Sequence, residues 1–526
     1  MLEDYESKEK EKDSDKFVLK KFELDSDQSQ ETIMSMASSK KFVFSLTRNN
    51  SIFCIESKSL KTINGIYPLP EPKDKNNFKE KNFNKIWADR EGNHCIIRNS
   101  NSIYYFNSAF EQAYELNNFK GKEICAVGLD DRNTEIKTTK KFLAVDYNNT
   151  IYECCIELEE DKLTKKKKIH DRIEPLITIY LSEPGSENDY KRNSELIDDR
   201  IYGIKFIKGI NSILSPNNGY YIIAVTKNRL FEFKGNDFRH IFTKYGKNPS
   251  LLNDCCKYFP SQKKQFKVEF DISYKNEPIL ISDKESIKMD IFNQFGWVTD
   301  TGFCFGDFKS SNTTGLPLEI KEFTVTPFQR ITNKGTKELN KEPISIMHTF
   351  YHIFLLYDNC LTIISKLTSN IIYTKFLDIK FKYMIYNEYS EKNGNIFLGS
   401  ENGLYQISLQ NENDEIWQEF FEVGLYDEAE KNCHEKKTIK KIKRVYAENS
   451  FQKNTVGDRV MAANNYALSD EKFEIICLKY IKEGDLESLK YFLKMYKSLN
   501  FKDENESAQK KDALKNLQLN LMSNYF

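Results

Sequence analysis

The chain has 526 residues and carries 78 Lys+Arg against 78 Asp+Glu, so its net charge is zero. That length accommodates one large all-β domain plus something smaller, and the charge balance speaks against a general nucleic-acid or membrane-surface binder, which carries a basic excess. Aromatic residues make up 13% of the chain, with 38 Phe and 29 Tyr, a composition of packed β-structure rather than disorder.

In chain order, Met1 to Lys16 is almost entirely charged and polar. It reads as a disordered tail (1–16) and excludes a secretory signal. FVLKKFEL (Phe17 to Leu24) follows, and after it one pattern recurs seven times: an apolar run, a short polar turn with Asn or Gly, and a second apolar run. The copies are KKFVFSLTRNNSIFCIES from Lys40, GNHCIIRNSNSIYYFNS from Gly92, KKFLAVDYNNTIYECCIE from Lys140, GYYIIAVTKNRLFEFKG from Gly219, FGWVTDTGFCFGDF from Phe295, YHIFLLYDNCLTIISK from Tyr351 and GNIFLGSENGLYQISLQ from Gly394. Each reads as a β-hairpin.

The first apolar residue after each turn sets the register: Ile52, Ile103, Ile151, Leu230, Phe303, Leu361 and Leu404, at intervals of 51, 48, 79, 73, 58 and 43 residues. Four intervals are near the length of a four-stranded propeller blade, roughly 40–50 residues. The two long ones hold polar stretches, Lys162 to Arg200 and Asn236 to Gln265, expected to be loops on one face. Serial four-stranded units cannot leave their edges open. The expectation is therefore a seven-bladed propeller over 17–410, with FVLKKFEL pairing near Ile396 to Ile407 to close the ring. A W-D signature is missing; Trp87-Ala88-Asp89 is the nearest approach.

After Gln410 the period becomes helical. Ile416, Trp417, Phe420 and Phe421 share one face, a packing seam, and Gly424 is a C-cap. Asp427 with Glu430 reads as a capping box. Phe473, Ile476, Cys477, Tyr480 and Ile481 follow helical spacing, Gly484 ends that helix, and Asp485 caps the next, which carries Leu486, Leu489, Phe492 and Leu493. Ser507 to Tyr525 reads as one more helix. This is the grammar of an α-solenoid over 411–526, incomplete at its carboxy end because the last pair has no polar outer cap. The fold class expected is thus an all-β seven-bladed propeller followed by an all-α solenoid.

No catalytic, cofactor-binding or metal-binding residue is predicted. The P-loop, dinucleotide, nucleophile-elbow and zincin motifs are all missing. Eleven scattered cysteines, with no C-x-x-C pair, read as reduced, mostly buried thiols. His348 and His352 are four apart but enter a strand, so that spacing does not make a zinc site. Cys433-His434 reads as a packed thiol beside an exposed imidazole. Lys165 to Lys168 reads as a solvated loop, and KKTIKKIKR (Lys436 to Arg444) as a helix with Ile439 and Ile442 inward and its lysines in water. No apolar run approaches the ~18 residues that span a bilayer.

DEIWQEFFEVGLYDEAEKNC (Asp414 to Cys433) resembles the propeller-to-solenoid joint of the class C vacuolar protein sorting family known as Deep orange. RIYGIKFIKGINSILSPNNGYYIIAVTKNRLFEFKG (Arg200 to Gly235), FGWVTDTGFCFG (Phe295 to Gly306), FEIICLKYIKEGDLESLKYFL (Phe473 to Leu493) and AQKKDALKNLQLNL (Ala508 to Leu521) are similar to further stretches of that family, in order. The resemblance implies a non-catalytic core subunit of the HOPS and CORVET tethering complexes, in endosome-to-vacuole or lysosome docking and fusion. Its implied partners are other class C subunits and, through the complex, fusion-machinery proteins or small GTPases, with no nucleic acid. It would be cytoplasmic and peripheral on late endosomal and vacuolar or lysosomal membranes, held there through partners, and would need no cofactor. The family's carboxy-terminal zinc-binding RING has no counterpart here, so zinc and ubiquitin-ligase chemistry do not carry over. The alternatives are another propeller–solenoid trafficking or coat subunit and, from a different class, a propeller enzyme with polar residues converging in its channel.

Overall fold

The computed structural model describes residues 19–22, 32–70, 84–99, 102–109, 111–131, 133–160, 167–179, 200–208, 219–226, 229–258, 270–275, 291–298, 302–309, 319–327, 331–333, 337–339, 343–349, 351–357, 360–387, 395–408, 416–453 and 455–500. The tail over 1–16 and the helix expected from Ser507 to Tyr525 lie outside them. The chain divides into two compact units, Met1–Gln410 and Asn411–Phe526.

The first unit is a β-propeller. Its described strands form seven four-stranded antiparallel sheets and one two-stranded sheet. In chain order, sheet 1 runs from Ile33–Ser38 to Thr62–Pro68, sheet 2 from Lys85–Ala88 to Gln112–Glu115, and sheet 3 from Ile124–Gly128 to Lys167–Thr178. Sheet 4 runs from Gly203–Lys208 to Cys256–Tyr258, sheet 5 from Phe270–Lys275 to Glu319–Pro327, and sheet 6 from Ser345–His348 to Ile371–Phe376. Sheet 7 combines Phe381–Asn387, Asn395–Ser400 and Gly403–Ser408 with Leu19–Lys21 from the other end of the unit.

Each hairpin expected from the sequence forms the two middle strands of a sheet. The register residues pair one step in from the turn: Leu46 with Ile52, Arg98 with Ile103, Val145 with Ile151, Val225 with Leu230, Val298 with Phe303, Leu356 with Leu361 and Gly399 with Leu404. All seven register residues are buried. A middle strand is covered on both faces by neighbouring sheets, so it reads as a continuous apolar run, and that is why these strands are the visible ones. The expected closing strand also pairs: Leu19 faces Ile407, Lys20 faces Gln406 and Lys21 faces Tyr405. Phe22 N–H then donates to Leu404 O at 2.9 Å, and the Phe22 ring meets Phe397 edge-on.

Two stretches expected to be loops differ. Lys167–Thr178 is the 12-residue outer strand of sheet 3, with Lys167 opposite Glu160 and Lys168 opposite Glu159. Between Asn236 and Gln265 the chain forms helix α1 (Phe238–Lys247), the short helix α2 (Leu251–Asp254) and the outer strand Cys256–Tyr258 of sheet 4. Outer strands are half solvated, so their polar composition hides them. Ile331–Asn333 with Lys337–Leu339, the two-stranded sheet, was also not expected.

Neighbouring sheets are joined by specific contacts. Ile86 N–H donates to Ser35 Oγ at 3.2 Å, linking sheets 1 and 2. Arg98 donates to Ile124 O at 2.6 Å, linking sheets 2 and 3. Between sheets 3 and 4 the innermost strands approach so closely at Gly128 that a Cβ there would lie 2.9 Å from Ile204 O. Trp297, fully buried, donates through Nε1 to Thr226 O at 3.0 Å, linking sheets 4 and 5. Ile33, Val43, Phe397 and Leu404 share one core between sheets 7 and 1.

The second unit is a helical region: α3 (Ile416–Glu422), α4 (Tyr426–Asn432), α5 (Lys436–Gln452), α6 (Val456–Leu468), α7 (Phe473–Lys482) and α8 (Leu486–Asn500). Gly424 (φ +79°) and Gly484 (φ +68°) both adopt the left-handed conformation that lets the following residue bond back. Leu425 N–H reaches Phe420 O at 2.8 Å, and Asp485 N–H reaches Tyr480 O at 3.1 Å, two Schellman turns. Asp485 caps α8 by accepting from Ser488 N–H at 3.0 Å. The expected Asp427–Glu430 capping box does not form. Helix α4 begins directly after the Gly424 turn with Leu425 as its N-cap, which places Asp427 inside the first turn. Ile476, Cys477, Tyr480, Leu489 and Phe492 join one core with Tyr466 and Phe451.

Candidate functional site

One buried polar grouping among the described residues starts at Asp89, the residue of the weak Trp-Ala-Asp signature. Asp89 Oδ1 accepts from His94 N–H at 2.6 Å. The His94 ring meets Tyr105 Oη through Nδ1 and Glu135 O through Nε2, both at 2.7 Å. Asn107 donates to Tyr105 Oη at 3.0 Å and to Ile136 O at 2.8 Å. The group ties sheet 2 to the segment leading into sheet 3. Burial pushes the Asp89 carboxyl up to about 7, helped by the nearby Asp131 and Glu91 charges and opposed by the backbone bond from His94. Burial lowers His94 to about 4. The turn over 89–93 also clasps sheet 1. Lys40 N–H donates to Arg90 O at 2.7 Å, Lys40 pairs with Glu91 at 2.5 Å, and Lys41 Nζ donates to Asn93 Oδ1 at 2.7 Å. Gly92 (φ +79°) packs against Ser39 where a Cβ would collide. These contacts tie the turn over 89–93 and the His94 strand to the segments on either side, while Asp89 Oδ2 is buried without a hydrogen-bond partner among the described residues.

A second grouping crosses the face of sheet 3. The Glu153 carboxylate, buried, lies 3.0 Å from Lys141 Nζ and 3.7 Å from Arg172, yet neither contact has hydrogen-bond geometry. Arg172 continues to Glu174 at 3.5 Å, and Arg239 of α1 also bonds Glu174. The ladder fastens α1 onto the outer strand of sheet 3. On the sheet 4 side, α1 buries Phe238, Ile241 and Phe242 against Phe206 and Phe233. Beyond α1 a cleft of about 370 Å³ is lined by Lys234, Lys244, Lys257, Glu232 and Tyr245, with Cys255 and Cys256 beside them.

The residues weighed from sequence are dispersed. His348 ends one strand of sheet 6 and His352 begins the next, across a turn, so they are not helical neighbours. Cys433 is buried at the end of α4 and His434 is exposed. Ile442 is buried, but Lys443, expected in water, is drawn inward and pairs with Glu430 at 2.5 Å. In the seam, Ile416 and Phe420 are buried while Trp417 and Phe421 are half-buried. Among the described residues no group of three or more His, Cys, Asp or Glu side chains could hold a metal ion, and no helix is long and apolar enough to cross a membrane. Sequence reasoning missed the Asp89–His94–Tyr105–Asn107 network; its one signal was Asp89 itself, five residues before a His in a strand.

The class defined by these features is a β-propeller whose sheets are joined by buried polar contacts, followed by a helical region. The family's own model settles which propeller. The β-propeller domain described as Pep3/Vps18/deep orange matches residues 15–417, and the chain belongs to that family. Its family and fold are those of structural propeller scaffolds. Among curated relatives, vacuolar sorting protein 18 of Arabidopsis thaliana is 21% identical over 429 residues, covering 79% of this chain and 38% of that protein. The vacuolar protein sorting-associated protein 18 homolog of Danio rerio is 22% identical over 419 residues, covering 78% of this chain and 38% of the relative. The chain therefore spans well under half the length of the relatives it matches. The solved β-propeller domain of Cps50 (Swd1) from Myceliophteria thermophila is similar at 10% identity and a TM-score of 0.40, over 74% of this chain and 99% of that one.

Proposed function

We propose that the protein is a non-catalytic scaffold subunit of a HOPS/CORVET-like membrane-tethering complex, acting in vesicle docking and fusion between endosomes and the vacuole or lysosome. The observation that carries this reading is the match of the Pep3/Vps18/deep orange propeller to residues 15–417, beside relatives named for vacuolar sorting. In this reading residues 17–410 make one closed ring of seven blades behind a charged tail (1–16). The sheet pairing of Leu19–Lys21 with Gly403–Ser408 supports the closure. Residues 411–526 are the start of a solenoid, a reading supported by the two Schellman turns that join consecutive helices. The propeller presents loops to a partner, and the helices form the arm that joins other class C subunits.

The protein reaches late endosomal or vacuolar membranes through those subunits, and fusion proteins or small GTPases through the complex. It needs no zinc and has no catalytic site. The balanced charge supports recruitment by protein rather than by lipid. Co-purification from the source cell with mass spectrometry tests the complex, and flotation of the purified chain with protein-free liposomes tests the route to the membrane. Class C subunits should co-purify, and the chain alone should stay with the soluble fraction even beside anionic lipid. Tight binding to bare liposomes, or co-purification with an unrelated machinery, overturns the reading.

A further inference from the structure

The helical unit carries an aromatic stripe across four helices. Phe421 of α3 meets the Tyr426 ring of α4 edge-on at 5.6 Å; Tyr426 stacks on Tyr446 of α5 at 5.0 Å; Tyr446 Oη lies 3.1 Å from Met461 Sδ of α6. The three rings are half-buried rather than enclosed, Met461 is 43% exposed, and Leu425 beside Tyr426 is 49% exposed. Aromatic and methionine side chains in contiguous, half-open contact have the composition of the centre of a protein interface.

Two carboxylates edge this stripe. Asp427 Oδ2 is 3.4 Å from Tyr446 Oη, and the Asp458 side chain, bonded to the Thr455 hydroxyl at 2.5 Å, also bears on that phenol. Four cations of the surrounding helices pair with other carboxylates: Lys431 with Glu428 at 2.6 Å, though its charge also acts on Asp427, Lys443 with Glu430 at 2.5 Å, Arg444 with Asp470 at 3.6 Å and Arg459 with Asp485 at 3.3 Å. Among the described residues neither Asp427 nor Asp458 has an ion-pair partner. Covering the stripe with a purely apolar or acidic surface would strip water from both carboxylates with nothing in return. A cation placed over Tyr446 would gain the ring face and both carboxylates together.

We propose that this face docks an amphipathic basic segment of a partner protein, its apolar side chains along Phe421, Tyr426 and Met461 and a Lys or Arg seated over Tyr446 between Asp427 and Asp458. The inference concerns the helical unit alone and stands or falls apart from the tethering role.

The test uses the intact chain and a fluorescein-labelled helical peptide of leucines and lysines, followed by anisotropy, with its leucine–glutamate counterpart as control. The lysine peptide should bind and the glutamate peptide should not. Asp427→Asn with Asp458→Asn should weaken binding roughly tenfold, as expected for losing charge pairing at a partly exposed site. Leu425→Glu, at an exposed position, should weaken it at least as much, with the helical circular dichroism of both variants unchanged. Equal binding by the variants, binding of the glutamate peptide, or no binding of the lysine peptide overturns the proposal. So does concentration-dependent self-association that Leu425→Glu abolishes, since the occupant would then be a second copy of the chain.

Discussion

Asp89 and His94 illustrate what burial does to two neighbouring titratable groups. The Asp89 carboxyl is raised to about 7, so the folded chain holds a proton there that the unfolded chain releases near 4, and stability falls as pH rises through that window. His94 is lowered to about 4, so the folded chain resists a proton the unfolded chain takes up near 6.5, and stability falls as pH drops from there. Between about 4 and 6.5 the two slopes oppose and largely cancel. Separating them exposes each. Asp89→Asn keeps the acceptor for His94 N–H; its melting temperature should fall on acidification from pH 6.5 to 4.5 and exceed the native value at pH 8. His94→Gln should show the reverse slope, gaining stability toward pH 4.5. Each pKa unit is worth about 1.4 kcal/mol, enough to read by thermal unfolding. Parallel pH profiles for the native chain and both variants would contradict the assignment. The buried cysteines behave alike: burial pushes Cys54, Cys125 and Cys304 up to about 12. Cys255, though only half-buried, is pushed up to about 12 as well, so alkylation of the native chain at pH 8 should begin at the half-buried Cys155 and Cys256, with the other described cysteines protected until unfolding. Peptide mapping that finds Cys54 or Cys125 labelled first would refute this.

At the scale of elements, the middle strands were legible because they are buried on both faces. The outer strands were not, for the opposite reason. Lys167–Thr178 alternates half-buried and exposed positions, and its charged residues look like loop until Glu159 and Glu160 are placed opposite Lys168 and Lys167. Cys256–Tyr258 has only three residues and follows two helices, so no periodicity could announce it. The closing strand is equally short, yet its alternation and its position before the first hairpin gave it away. Lys20→Pro removes a backbone donor from that strand and fixes a backbone angle the ladder does not favour. It should lower the melting temperature of the propeller by several degrees while Lys20→Thr, which keeps the ladder, does not; equal melting would mean that the strand adds little. Helix α1 is held at its start by Asp237, whose carboxylate accepts from His240 N–H at 2.9 Å. Asp237→Ala should cost about 1 kcal/mol, measured by denaturant unfolding, and Asp237→Asn much less.

At the scale of the molecule, the division after Gln410 predicts that a chain ending there retains the β-rich circular dichroism and cooperative melting of the propeller but no longer joins other class C subunits in pull-down. Assembly of the truncated chain as well as the intact one would place the joining surface on the propeller instead. Loss of folding would show that the first unit depends on the helices. What the sequence by itself determined was the class of architecture: serial hairpins with a fixed register residue, then helical spacing with Gly-Asp turns, because burial on both faces and left-handed glycine turns impose local patterns. The Deep orange likeness was also there in order along the chain. Only the tertiary structure decided the rest. Asp89, His94, Tyr105 and Asn107 become one network because strand pairing brings residues from separate strands side by side, and Glu135 reaches His94 across a junction between sheets. The Phe421, Tyr426, Tyr446 and Met461 stripe comes from four helices, none of which is distinctive alone. Contacts between residues far apart in the chain depend on how faces pack, and packing leaves no spacing for a linear reading to find.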